Sequence, residues 1–464
     1  MFPIRDILLL CAVGVSLPIC LARPAYGILV WTALGFLNPQ SFTWGYAREA
    51  PLALAVAVTT LMGFLLKPQL RRLFCTEMCL LFILWAWFTV TTFNSAYDPE
   101  LAEKAGDAWF RWGFVSKILL MTVISVAVMN SWARLRWLLL TVGVSFGLLV
   151  FHTLPGMILF GGEYRIYGPE NSMVADNNAF GLAVLMALPF FFYLAKTESD
   201  RRVKWFLGLA FVAAIPTIFF TYSRGTFAGL IVVAGCMLLR SNQRLLLIPV
   251  TLVALLFGAF LAPQKWRDRI AETTDTQEAS AQSRLNAWSY SWNLAKAHPV
   301  MGGGFEAFTP DLFAKYAPNP QDVHGPHSIY FGALLEHGFV GFFLYFLLVA
   351  CCFVTLHRIV KLARFHGDEK SAHYANMLRF SLIGFLANGA FVGRTYFDFY
   401  FIIVACTAIL KQVCREQWEA GAGLEQLEPP EAEDQFSDYE QHLVAPGSGA
   451  SPLWDIPITA RREK

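Results

Sequence analysis

The chain has 464 residues, of which 56% are hydrophobic and only 15% charged, and its mean hydropathy is +0.47. A soluble domain carries roughly 25% charged residues, and the apolar residues here gather into runs approaching the ~20 that cross a bilayer as a helix. The composition therefore excludes a soluble globular enzyme, and a net charge of +2 gives no sign of a nucleic-acid surface.

In chain order, spanning segments are expected at Ile7–Ala22, Tyr26–Leu37, Ala50–Leu66, Met78–Thr92, Phe114–Met129, Trp137–Phe151, Asn178–Leu194, Phe206–Thr221, Thr226–Leu239, Leu245–Leu261, Ser328–Leu356, Met377–Val392 and Tyr396–Leu410. The first two form either one hairpin or two spans. No small-residue processing site follows them, so no cleavable signal is expected. The fold class is an all-α polytopic membrane protein of about 12 transmembrane helices. The Lys/Arg-rich loops Lys67–Arg72, Ala133–Arg136, Lys196–Lys204, Arg240–Arg244 and His357–Lys370 are assigned to the cytoplasm. The alternate loops, among them His152–Asn177, Tyr222–Gly225, Pro263–His327 and the turn near Arg394, then face the other side. Pro263–His327 is long, and connections of that length are usually functional or disordered. Its Leu285, Trp288, Trp292 and Ala295 recur at helical spacing, and this aromatic stripe predicts a folded helix. Residues 1–150 are read as N-terminal spans and 151–411 as a membrane core. The Glu-, Pro-, Gly- and Ser-rich residues 412–464 read as a disordered cytoplasmic tail. None of the nine cysteines falls in the long loop, so a disulfide framework there is excluded.

The chemistry-bearing residues lie on the non-cytoplasmic side. "GPHSIYFGALLEHGFVG" (Gly325–Gly341) sets His327 at the border of an apolar run. If the run is one helix, Gly338 lies about three turns on and shares the face of His327. Gly341 lies near that face, and the two glycines would let a neighbouring helix approach closely. The alternative is a histidine that merely caps its helix. Arg224, in "TYSRGTFAG", stands between two apolar segments where an arginine is costly without an anionic partner. Arg165 precedes Gly168, and Asn177 and Asn178 open the next span as candidate caps. Arg284 opens the aromatic helix of the long loop. Gly302–Gly304 either offer backbone N–H groups to a phosphate or form a tight turn. Asp322, His324 and His327 offer too few ligands for a metal site. Convergent arginines suit a diphosphate, and a nearby histidine suits proton transfer from a hydroxyl.

These residues resemble the O-antigen ligase family. His327–Ser328 followed by Gly338 and Gly341 is similar to its H-[NSQ]-x9-G-x-x-G motif. Ser223–Gly225, Arg165–Gly168 with Asn178, Arg284–Trp288 and Pro299–Gly304 are similar to further family segments in family order. The N-terminal part, with "LNPQSFTWGYA", looks like the subgroup of O-glycosylation ligases associated with exosortase A. The resemblance implies a GT-C-like architecture with a long helical periplasmic loop in the bacterial inner membrane. It implies an inverting glycosyltransferase that uses neither metal nor cofactor. The donor would be a glycan on undecaprenyl diphosphate, and the acceptor a hydroxyl of protein, lipid A core or polysaccharide. His327 would activate the acceptor, while Arg165 and Arg224 would hold the diphosphate. Arg284, Asn178, His324, Gly303 and Gly304 would line the substrate site, with Gly338 and Gly341 structural. A polysaccharide polymerase of the Wzy type shares the donor and the arginines, and is the nearest alternative. A flippase would not need the folded loop, and an intramembrane serine protease would need a nucleophile setting that Ser223 lacks.

Overall fold

The computed structural model describes residues 3–102, 105–159, 164–240 and 279–425. Among them are fourteen α-helices and no strand: α1 (Ile4–Ala22), α2 (Pro24–Leu37), α3 (Leu52–Leu66), α4 (Thr76–Tyr97), α5 (Ala105–Val128), α6 (Trp132–Leu159), α7 (Asn177–Thr197), α8 (Arg201–Phe220), α9 (Arg224–Leu239), α10 (Ala279–Ala297), α11 (Pro310–Tyr316), α12 (Ile329–Phe365), α13 (Glu369–Gly389) and α14 (Asp398–Glu425). Seven of the described helices are long and apolar enough to cross a membrane, namely α1, α4 to α8 and α12; α2, α3 and α9 are shorter apolar helices. Twelve of the expected spans thus fall on described helices. The thirteenth, Leu245–Leu261, lies outside the described residues, as do residues 263–278 of the long loop.

The helices sort by surroundings. α7 packs against α6, α8, α9 and α13, and from Ala179 to Phe191 every side chain is buried. In α14, Phe399–Leu410 are all buried, with Phe399 against Phe36, Phe146 and Phe190. A helix apolar all round is stable only inside other protein or lipid, and these two form the middle of the bundle. By contrast, α1, α3 and α8 expose Leu8, Val15, Leu54, Val58, Leu209 and Val212, as a lipid-facing rim requires.

Four of the five basic loops are described in full, and they gather at one end of this bundle. There Arg72 pairs with Glu416 (2.6 Å), Arg136 with Glu198, and Lys370 stands over Trp132. The tail boundary needs correction, because α14 continues as helix through Glu425. Gln412 donates to the Arg72 carbonyl (2.8 Å) and Trp418 to Asp368 (3.3 Å), so residues up to Trp418 pack with the bundle. Residues 419–464 form a separate unit, of which only the helix end is described.

The opposite end carries α10 and α11, and here one expectation is corrected. α10 forms as the spacing predicts, with Leu285 56% and Trp292 46% exposed. The buried face includes Ala287, Tyr290, Ser291, Leu294 and Ala295, because Tyr290 stacks on Phe313 of α11 (3.9 Å) and its hydroxyl donates to the Ala307 carbonyl. The rod reading is the one that changes: α12 is not one rod. Gly338 has φ 65° and ψ −171°, a region essentially closed to residues with a Cβ. In an unbroken helix Phe339 N–H would donate to Leu335 C=O. Instead it donates to Pro299 C=O (2.9 Å), while Leu335 and Glu336 accept from Gly303 (2.8 Å) and Gly304 (2.9 Å). The break leaves backbone groups that would be costly unpaired, and the 299–304 turn pairs them. His327 and Gly338 therefore do not share one straight helix.

Candidate functional site

The end of the bundle opposite the basic loops is a junction of four connections. Asp176, not Asn177 or Asn178, is the N-cap of α7. One carboxylate oxygen accepts from the N–H groups of Asn178 and Ala179 (both 3.0 Å), and a carboxylate can take both at once. Asn177 instead donates to the Thr221 carbonyl (2.8 Å), tying this start to the α8–α9 turn. In that turn Tyr222 has φ 56°, and Ser223 caps α9 by accepting from Thr226 N–H (3.3 Å). Arg224 is therefore the first residue of α9. Ile166 N–H donates to Phe220 C=O (3.0 Å), which brings Arg165 to the same turn. Gly168 is required there, since a Cβ would stand 2.0 Å from the Val174 carbonyl oxygen.

The turn between α13 and α14 completes the junction. A Cβ on Gly225 would meet Phe391 at 2.8 Å, and one on Gly393 would meet the His327 backbone at 3.3 Å. Arg394 pairs with the second oxygen of Asp176 (2.6 Å). Its Nε is buried and makes no hydrogen bond among the described residues; neither does the Ser328 hydroxyl. Nothing in the sequence reading selected Arg394 or Asp176. The signal was an arginine in a very short turn between two apolar helices, the same one that selected Arg224.

His327 sits in this junction with an exposed imidazole and φ 43°, a left-handed backbone uncommon for a residue with a side chain. It is not the cap of α12, because Ser328 holds that position and makes no side-chain cap bond. α10 reaches it from the other side. Trp288 donates to the Pro326 carbonyl (2.8 Å) and stacks on Phe331 of α12, and His324 pairs with Asp322 (2.8 Å). The protein around His327 lowers its pKa from the usual value, first by desolvation and then by the positive charge of Arg284 and by His324, with Arg394 adding and Asp176 opposing. The imidazole is thus biased toward its neutral, proton-accepting form. Of the expected site residues, His327, His324 and Arg284 come together. Arg165 and Arg224 flank the adjoining α8–α9 turn, and Asn178 lies one residue inside α7.

The glycines behave differently from the expectation. The N–H groups of Gly302, Gly303 and Gly304 all donate to protein carbonyls, so the phosphate-cradle reading of Gly303 and Gly304 is corrected: they bind the break in α12. Gly302 itself has φ 67°, and a Cβ there would meet Gly338 N at 2.4 Å. Gly341 lies against Trp87 of α4, whose indole donates to the His337 carbonyl (3.1 Å).

Beneath the junction the same break holds a buried polar network. His337 bonds Thr91 and Tyr396 (both 2.7 Å) through its two ring nitrogens. Glu336 accepts from Tyr396 and from Glu306 N–H (3.1 Å). An ionisable pair inside an apolar run is itself a site signal, and "EHG" carries it. Here both side chains are satisfied by neighbours that fix the break. Among the described residues no group of three His, Cys, Asp or Glu side chains is placed to hold a metal ion.

Two family models match the chain. Residues 4–199 match a family of unknown function (DUF5935), and this stretch includes Arg165, Asp176 and Asn178. Residues 209–346 match the O-antigen ligase family, and this stretch includes Arg224, Arg284, His324, His327 and the glycines that meet at the break. No curated protein matches the chain. The domain over 209–346 is one of glycan biosynthesis, of ligase or polymerase type, set here in an all-helical bundle that crosses the membrane several times. The chain thus carries an O-antigen ligase domain over residues 209–346.

Proposed function

We propose that the chain is a glycosyltransferase of the inner membrane that moves a glycan from undecaprenyl diphosphate to an acceptor hydroxyl on the periplasmic face. The observation that carries this reading is the exposed imidazole of His327, held in a left-handed backbone beside Arg284, His324, Asp176 and Arg394. A neutral imidazole can accept the hydroxyl proton as the oxygen attacks the anomeric carbon. The bond from that carbon to the diphosphate breaks, and the diphosphate leaves with the electron pair. Attack from the face opposite the leaving group inverts the configuration. Arg165, Arg224 and Arg394 supply positive charge for the leaving diphosphate, the work a divalent cation does elsewhere. Turnover is accordingly expected to persist in EDTA. Protein hydroxyls are the acceptor that the exosortase-type resemblance of the N-terminal part favours.

The test separates the two roles. His327→Ala should leave donor binding within about twofold of wild type while slowing transfer by about 10²–10⁴. Arg224→Ala should weaken donor binding as well as transfer, and Arg224→Lys should restore only part, because an ammonium lacks the planar fork. Donor affinity and single-turnover rates on purified protein measure both. Transfer at the wild-type rate by His327→Ala would sink the reading.

A further inference from the structure

Along the outer side of α10 runs an open groove of about 580 Å³, within the range of small-molecule sites. Leu285, Asn286 and Ser289 of α10 form one wall, and Asn319, Gln321 and Asp322 form the other. Leu285 and Asn286 lie four and three residues before Ser289, so the wall positions share one side of α10. The frame is fixed. Asn286 donates to the carbonyls of Asn319 (2.9 Å) and Asp322 (3.2 Å) and accepts from Asn319 N–H (2.8 Å). The groove ends beside the junction, since Asp322 pairs with His324 (2.8 Å) and Arg284 follows lining residue Ser283.

Its chemistry is distinct from the junction. Among the described residues no lysine or arginine lines it, and Asp322 already faces a histidine, so these residues offer a phosphate or carboxylate no countercharge. Beyond the committed Asn286, it offers the hydroxyls of Ser283 and Ser289 and the amide of Gln321, each presenting donor and acceptor together, which is what sugar hydroxyls need. Leu285 is 56% exposed and gives an apolar platform for the C–H face of a sugar ring. A peptide would seek more apolar pockets than Leu285 and Pro318 supply.

We propose that this groove binds a neutral stretch of glycan, several sugar units long, and aligns it with His327. The inference rests on the glycosyltransferase reading for its place in the reaction, and not for the binding itself. The glycan belongs either to the donor or to the acceptor.

The experiment uses the full chain in lipid nanodiscs. The probe is the oligosaccharide released by mild acid from the lipid-linked pool of the source cells, followed by saturation-transfer NMR and calorimetry. Ser289→Trp and Gln321→Trp fill the groove from exposed positions, and Lys296→Ala is a control on the same helix. The wild type and the control should bind the oligosaccharide, and each tryptophan variant should bind it at least tenfold more weakly. A matching rise in KM for the lipid-linked donor alone assigns the glycan to the donor, and a rise in acceptor KM alone assigns it to the acceptor. Both support the groove. Equal binding by wild type and both folded tryptophan variants overturns it, as does no binding by the wild type or preferential binding of a peptide acceptor stripped of sugar. If the wild type transfers nothing while the tryptophan variants lose binding, the transferase reading fails and the groove stands. If transfer is normal while the groove binds no saccharide, the groove fails and the transferase reading stands.

Discussion

A single residue, His327, connects backbone geometry to chemistry. The left-handed φ of 43° turns the chain sharply just before α12 and leaves the ring exposed. Its lowered pKa has a sign that can be tested. If the neutral imidazole is the working form, kcat/KM should be flat near neutral pH and fall only as pH drops through that lowered value. Arg284 is the largest charged contributor to the lowering. Arg284→Gln should therefore raise the His327 pKa and move the acid limb of the profile to higher pH, whatever it does to the plateau. A limb that stays in place would show that Arg284 does not act on the imidazole. Asp176 has two tasks, one per oxygen. Asparagine caps helices about as well as aspartate but loses the charge facing Arg394 (2.6 Å). Asp176→Asn should thus hold Tm within a few degrees and lower kcat/KM, whereas Asp176→Ala should also lose about 1 kcal/mol of helix capping. Equal thermal losses in both variants would reduce Asp176 to a structural cap.

At the scale of elements, the break in α12 organises the rest. Carbonyls freed at Leu335 and Glu336 take the N–H groups of Gly303 and Gly304, and the turn is wedged so tightly that a Cβ on Gly304 would stand 2.2 Å from Ser95 Oγ of α4. Gly338→Ala forces a Cβ into a backbone region costing about 1–3 kcal/mol, with a contact of 2.5 Å to the Val300 carbonyl oxygen added. The expected result is less folded protein and a lower Tm, with near-normal donor affinity in the fraction that folds, read by fluorescence-detected gel filtration and scanning calorimetry. Full yield and Tm would mean that the break relaxes freely. The existence of α12 was legible, because a long apolar run dictates a helix. The break was not, because a glycine in an apolar run has two uses, close packing and a positive φ, and spacing does not choose between them. In α10 the helix was legible but its inward face was not. Leu285 and Trp292 suggest burial by composition, yet Tyr290 finds a carbonyl and an aromatic partner in a segment distant in sequence, and that decides the face.

For the molecule as a whole, the distribution of charge separates two ends. Lys67, Arg72, Arg136, Lys196, Lys204, Arg240, Arg358 and Lys370 lie in connections or helix ends at one end, whereas His327, Arg165, Arg224 and Arg394 occupy the other. This division was legible because it needs only the order of apolar runs and the positions of basic residues. The convergence of Arg394 with Asp176 was not, because they are 218 positions apart and nothing local links them. Basic residues in short loops are retained on the cytoplasmic side, so the junction should face the opposite compartment. Exposed positions at each end allow a direct check: Ala314 of α11 and Ser199 in the α7–α8 connection. In a background with the exposed Cys11 and Cys79 replaced, Ala314→Cys should react with a membrane-impermeant maleimide in spheroplasts. Ser199→Cys should react only after lysis. The reverse pattern would place His327 and the arginines in the cytoplasm, out of reach of a donor presented on the periplasmic face, and the proposed reaction would then have to be abandoned even with every contact of the junction intact.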